Sequence, residues 1–130
     1  FLVDAITKDI FIITKSDNPA RIYKLSYPYS YTTLNTAMAA GALTKSGIVG
    51  AAISPDGKEI IVKTYVELFR FKREAGQTLL QTFQNTFEKI PYQLEPQGEA
   101  VTFAADNSGY FTLSEKGMFS VVNLFFYKRN

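Results

Sequence analysis

The sequence contains no cysteine, no histidine and no tryptophan. The lack of cysteine excludes disulfides and every thiolate metal site. The lack of histidine excludes Ser-His-Asp triads, Cys-His dyads and imidazole-bound zinc within this chain. No apolar run approaches the ~18 residues that a membrane-spanning helix needs. Charge of one sign is also missing: 14 Lys and Arg face 12 Asp and Glu, for a net charge of +2. That balance argues against a strongly basic nucleic-acid footprint, so no nucleic-acid partner is expected. Gly41, Gly47 and Gly50 match neither a P-loop nor a dinucleotide fingerprint. The chain does have 11 Phe, 8 Tyr and 46% hydrophobic residues in 130 positions, the composition of one folded, core-burying domain.

The dominant positive signal is internal repetition. Val3 to Lys15, Ile53 to Tyr65 and Phe103 to Glu115 align at an offset of 50 residues. Ile10, Ile60 and Tyr110 fall on one position, and Phe11, Ile61 and Phe111 on the next. Each copy reads as a short apolar strand, a polar turn and a second apolar strand ending in a hydroxyl residue. Asp56-Gly57 and Asn107-Ser108-Gly109 are hairpin signals, since Gly and Asn tolerate positive φ. A third strand follows in each copy, at 21–25, 67–72 and 123–128, with period-2 alternation clearest in the second. Fourth strands are expected around 34–40 and 89–94. The third copy has none, because the sequence stops at Asn130.

Between the third and fourth strands of the middle copy, Leu79, Leu80, Phe83, Phe87 and Ile90 recur at helical spacing. A short inserted helix is expected over about 77–85, with a strand and irregular loop as the rival. The expected fold is all-β: a partial β-propeller of about three four-stranded antiparallel blades, the last incomplete, at about 1–43, 48–95 and 97–130. A plain antiparallel sandwich is the alternative. Propellers close with roughly four to eight blades, so three leave two open ends. The sequence enters an apolar strand directly at Phe1, without an initiating Met. A second polypeptide or a second copy of the chain is therefore expected against both ends.

The run Ile53-Ser54-Pro55-Asp56-Gly57-Lys58-Glu59-Ile60 resembles the repeat of TolB-like six-bladed propellers. A wider stretch, from Val49 to Glu115, is similar to the C-terminal half of largely uncharacterised bacterial propeller proteins. Those resemblances imply a hairpin device and a longer assembly, and no chemistry. Gly98-Glu99-Ala100 is similar to the strand start at which gluconolactonase-like propellers place a metal-binding glutamate in the central channel. The resemblance implies a metal role for Glu99 alone.

Four residues are candidates for ligand binding. Glu99 precedes an apolar strand, where a carboxylate could bind Ca²⁺ or a cationic ligand through oxygen. Lys15, Tyr65 and Glu115 occupy one repeat position, so each copy would place a different polar group at the same level of a rim. Glu99 and Glu115 would suit a carboxylate pair, with Asp4 as a third oxygen donor if it does not simply open a hairpin turn. Tyr23, Tyr27, Tyr29 and Tyr31 around Pro28 could form a stacking surface, or pack a loop onto the sheet. Three readings remain open. One is a non-enzymatic propeller scaffold that binds a protein or small ligand. A second is a metal-dependent hydrolase, lactonase-like or phosphoesterase-like, with a carboxylate-lined channel. A third is a purely structural domain that associates with its own missing half.

Overall fold

A computed structural model describes residues 1–118 and 121–129. Three antiparallel sheets follow one another along the chain. The first contains β1 (Leu2–Val3), β2 (Ile10–Ile13), β3 (Arg21–Leu25) and β4 (Met38–Ala42). The middle sheet contains β5 (Gly50–Ile53), β6 (Glu59–Lys63), β7 (Leu68–Lys72) and β8 (Phe87–Ile90). The third contains β9 (Gly98–Phe103), β10 (Gly109–Ser114) and β11 (Leu124–Lys128). Each sheet is a meander in which sequence neighbours pair. The one helix among the described residues, α1 (Leu79–Thr82), lies between β7 and β8.

The hairpins form where the turn residues allow them. Gly57 and Asn107, 50 residues apart, take φ of 69° and 61°, the left-handed conformation that these two residue types accept. Ser54 Oγ accepts the backbone N–H groups of Lys58 and Glu59 and so closes the middle hairpin from inside. The first three strands of each copy thus lie where the repeat predicts them.

The other expected elements shift. The fourth strand of the first sheet begins at Met38 rather than near Leu34. Residues 30–35 are curled instead by hydrogen bonds of Ser30 N–H to Asn35 Oδ1 and of Thr33 N–H to Ser30 Oγ. The fourth strand of the middle sheet ends at Ile90 rather than running to Leu94, because Pro91 offers no N–H to extend the ladder. The helix is one turn over Leu79–Thr82, not the longer stretch expected over 77–85. Thr78 and Gln81 form a reciprocal capping box at its start. Only Leu79, Leu80 and Phe83 of the apolar stripe belong to its packing, while Phe87 and Ile90 are strand residues of β8.

Two apolar layers hold the sheets together. Leu2, Phe11 and Ile22 of the first sheet meet Ile60, Val62, Phe69 and Phe71 of the middle sheet, with Leu79 and Phe83 covering one side. Ala52, Ile61, Leu68 and Ile90 on the opposite face meet Phe103 and Tyr110 of the third sheet. β6 is therefore buried at all five positions, its alternate side chains serving opposite neighbours. Tyr110 and Tyr127 stack with ring centres 4.9 Å apart in the second layer. The Tyr110 hydroxyl donates to the Pro91 carbonyl at 2.7 Å.

A buried ion pair ties the first sheet to the middle one. Arg73, directly after β7, donates to both carboxylate oxygens of Asp4 at 2.8 and 3.0 Å. Asp4 is 1% exposed. Burial raises its pKa, but the Arg73 guanidinium, the Ile6 N–H and the Thr7 hydroxyl outweigh burial and hold it below the ordinary 3.8. Asp4 thus serves the turn and this pair. Asp4→Asn is expected to cost about 3 kcal/mol at pH 7, because it leaves a buried guanidinium without its counter-charge. Because the folded pKa is depressed, the wild-type advantage exists above pH 3.8 and fades as pH falls through the folded value. Urea unfolding of both proteins between pH 2 and 7 measures it.

Candidate functional site

At the opposite end of the sheets, one side chain from each sheet meets the others. Lys15 follows β2, Tyr65 follows β6, and Glu99 is the second residue of β9. The Lys15 ammonium donates to Tyr65 Oη at 2.7 Å and to Glu99 Oε1 at 2.8 Å. The Tyr65 hydroxyl donates to the same carboxylate oxygen. The ammonium also stands 4.9 Å from the centre of the Tyr65 ring.

Local backbone geometry produces this meeting. Ser114 pairs with Gly98 and Leu113 with Ala100, so Glu99 is the extra residue of a β-bulge. A bulge of this kind re-aims a side chain relative to the regular pleat. Gly50 at the start of β5 lets the strands approach closely, since a Cβ there would collide with the Glu99 carbonyl. On the Lys15 side, its carbonyl accepts the Gly47 N–H at 3.1 Å.

The cluster is charged and accessible. The Lys15 and Glu99 side chains are 50% and 33% exposed. Hydrogen bonds to Glu99 and then to Tyr65 hold the Lys15 amine above its usual range. Hydrogen bonds from Lys15 and then Tyr65 hold the Glu99 carboxyl below its own. Shallow clefts flank the cluster. Glu99, Ala100, Leu113, Ser114 and Glu115 line one of about 320 Å³. Tyr65, Val66, Leu94, Glu95, Pro96 and Gln97 line another of about 340 Å³. Glu115 thus shares a cleft with Glu99 without joining the hydrogen-bonded trio, and its backbone N–H donates to the Gln97 carbonyl at 3.1 Å.

These residues do not fit a metal. Among the described residues, no group of three or more Asp, Glu, His or Cys could hold an ion. Lys15 already neutralises Glu99, and Asp4 is committed to Arg73 at the far end of the first sheet. The tyrosine run divides. Tyr27 and Tyr29 pack edge to face at 5.5 Å, and the Tyr29 hydroxyl donates to the Lys8 carbonyl, which fastens the loop to the first hairpin. Tyr31 projects outward, 92% exposed.

Beneath the rim lies a cluster that the repeat pattern does not reveal. Lys63, the last residue of β6, is fully buried. Its ammonium donates to Tyr92 Oη at 2.5 Å and to the Thr64 carbonyl at 3.3 Å. It lies 4.0 Å from Glu95 Oε2. Gly98 packs against this group: a Cβ there would stand 2.6 Å from Tyr92 Oη and 2.9 Å from Glu95. Burial pushes the Lys63 amine down to about 8, with Glu95 acting in the opposite direction. Burial, followed by the Glu95 charge, pushes the Tyr92 phenol up to about 12. A lysine closing an apolar strand reads in sequence as a solvated strand end. Only the third sheet, laid over it, buries it.

No family model, no curated protein and no solved structure matches this chain. No helix of the described residues is long and apolar enough to cross a membrane.

The buried cluster makes alkaline stability non-monotonic. Lys63 binds its proton less tightly folded than unfolded, so stability should rise from pH 8 toward 10 as the unfavourable buried charge is released. Tyr92 and Tyr110, with phenols raised to about 12, lose their protons first in the unfolded chain, so stability should fall above pH 10. Urea unfolding across pH 7–11 should show this maximum, with a rise on the order of 2 kcal/mol. Lys63→Met should abolish the rise and leave the fall.

Proposed function

We propose that this chain is a non-enzymatic β-propeller scaffold, its three sheets serving as blades, that acts by binding a protein or small ligand at the rim formed by Lys15, Tyr65, Glu99 and Glu115. One observation carries the reading. The first strands of the three sheets neighbour each other, β5 against β9 and β1 against β5, and three polar side chains from three separate sheets converge at one end of them. A linear stack of sheets would keep the first and third apart. A radial arrangement would bring their inner edges together, and the Lys15–Glu99 pair supports it. Propeller sites are built where strand ends vary on a repeated scaffold, and Lys15, Tyr65 and Glu115 are the varied residues at one repeat position.

The rim offers a cation, an anion, a phenol and two shallow clefts. That inventory suits recognition of a polar or zwitterionic group. It provides no activated nucleophile, because the Lys15 amine is held protonated and the Glu99 carboxylate is held ionised. Further sheets would cover the open faces of the partial ring.

Carbodiimide cross-linking tests the arrangement. It is expected to join Lys15 to Glu99, found as a peptide linking the first and third sheets by mass spectrometry. No such peptide would mean that the sheets do not converge. NMR titration with a panel of amino acids, amines and small carboxylates tests the site. Shifts are expected at Lys15, Tyr65, Glu99 and Glu115, weakened at least tenfold by Lys15→Ala. Ca²⁺-dependent ester hydrolysis lost in Glu99→Gln would overturn the binding reading in favour of an enzyme.

A further inference from the structure

The two joints between sheets share a charged clasp at the end away from the rim. Arg73, directly after β7 of the middle sheet, reaches back to Asp4 in the first hairpin of the first sheet. Arg129, directly after β11 of the third sheet, reaches back to the first hairpin of the middle sheet. It lies 3.5 Å from Asp56 Oδ2 and 3.2 Å from Glu59 Oε2. The arginines occupy one register position. The Arg73 N–H donates to the Lys58 carbonyl and the Arg129 N–H to the Ser108 carbonyl, acceptors 50 residues apart. Each arginine stands two residues beyond the partner of the repeat position: Phe71 opposite Ile60, and Tyr127 opposite Tyr110.

The same position in the first sheet, two beyond the Ile10 partner Leu25, holds Tyr27. The first sheet therefore has no arginine with which to clasp a neighbour. The third sheet, by contrast, carries one carboxylate of the receiving half, with Ala104 and Gly109 standing at the repeat positions of Asp4 and Glu59. Asp106 lies 50 residues after Asp56 in the equivalent hairpin. Its Oδ1 accepts the Ser108 N–H at 2.9 Å, as Asp56 Oδ1 accepts the Lys58 N–H at 3.1 Å. Among the described residues, the ion pairs include Asp56 but not Asp106.

The sheet face beside Asp106 is apolar. Phe111 holds the repeat position of Phe11 and Ile61, which face the following sheet in the two existing joints. Register places Phe126 opposite Phe111 and Leu124 opposite Leu113, all on that face. Phe111 and Phe126 pack together at 4.9 Å. Phe126 is 49%, Leu113 39% and Leu124 63% exposed.

We propose that this face of the third sheet docks a further antiparallel sheet on a partner polypeptide, seated as the third sheet sits on the middle one, with an arginine just beyond its third strand pairing with Asp106. The proposal rests on the radial reading above and names the partner chemistry that it leaves open. It continues the established joint on both counts, apolar face and charge. A second copy of this chain is not the partner, because Tyr27 stands where the arginine is needed.

Tyr27→Arg converts the first sheet of this chain into a sheet of the required kind and so provides the probe. Two copies would then supply six sheets, within the roughly four to eight of a closed ring, and two new Arg–Asp pairs. Sedimentation velocity is expected to show self-association about tenfold tighter than wild type, a few-fold for each pair. Adding Asp106→Asn should return it to the wild-type value. Adding Phe126→Glu should abolish it without lowering Tm. No tightening in Tyr27→Arg, or tightening that survives Asp106→Asn, overturns the proposal. Wild-type self-association as tight as that of Tyr27→Arg overturns it in favour of a second copy. The Lys15–Glu99 cross-link is read in every variant. Its presence without tightening rejects the docking partner alone, whereas its absence rejects the radial reading as well.

Discussion

The structure depends on covering both faces of the middle sheet. β6 is buried at every residue, so its side chains have nowhere to go but into one neighbour or the other. Ile60 and Val62 are held by the first sheet and Ile61 by the third. Neither flanking sheet would leave the middle one stable alone, because its apolar face would then meet water. The middle hairpin acts as the keystone, and the polar features at both ends follow from the approach that it imposes.

At one end that approach creates clasps of arginine and aspartate. At the other it creates the rim. Both are ion pairs, yet they differ physically. The Asp4–Arg73 pair is sealed from water, so its geometry is bidentate and each partner depends on the other. The Lys15–Glu99 pair is open to solvent, where a charge pair contributes little to stability and can exchange its partner for a ligand. That contrast separates the end that holds the sheets from the end proposed for recognition. Lys63 is an intermediate case, a cation trapped under the rim by the sheet that lies over it. Its neighbours Tyr92 and Glu95 lie in the connection between the middle and third sheets, so this burial is itself a product of the joint.

Much of the architecture is legible in the sequence. The fifty-residue offset located β2, β6 and β10, and the alternation of Glu67 to Lys72 located β7, because hairpin turns and two-residue periodicity are local properties. Less local elements are legible only in part, since the helix expected over 77–85 and the strand expected over 89–94 are present with shifted bounds. The stripe from Leu79 to Ile90 has helical spacing throughout, yet Phe87 and Ile90 pair with β7, since a sheet edge offers them hydrogen bonds that a short isolated helix cannot match. The Ser30 to Asn35 loop likewise took its own side-chain hydrogen bonds over a longer strand.

The amino-acid order alone determined that the chain is all-β, that it repeats three times, and that Lys15, Tyr65 and Glu115 recur at one level, because these depend on residue type and spacing. Only the tertiary structure decided which of those groups touch. Glu99 rather than Glu115 joins Lys15 and Tyr65, because a bulge in β9 turns it toward them. Only the tertiary structure, too, buried Lys63 and matched Arg73 with Asp4, since contacts 29 or 69 residues apart depend on how whole sheets are laid against one another. Periodicity records the face a side chain takes, and the packing of sheets supplies what that face meets.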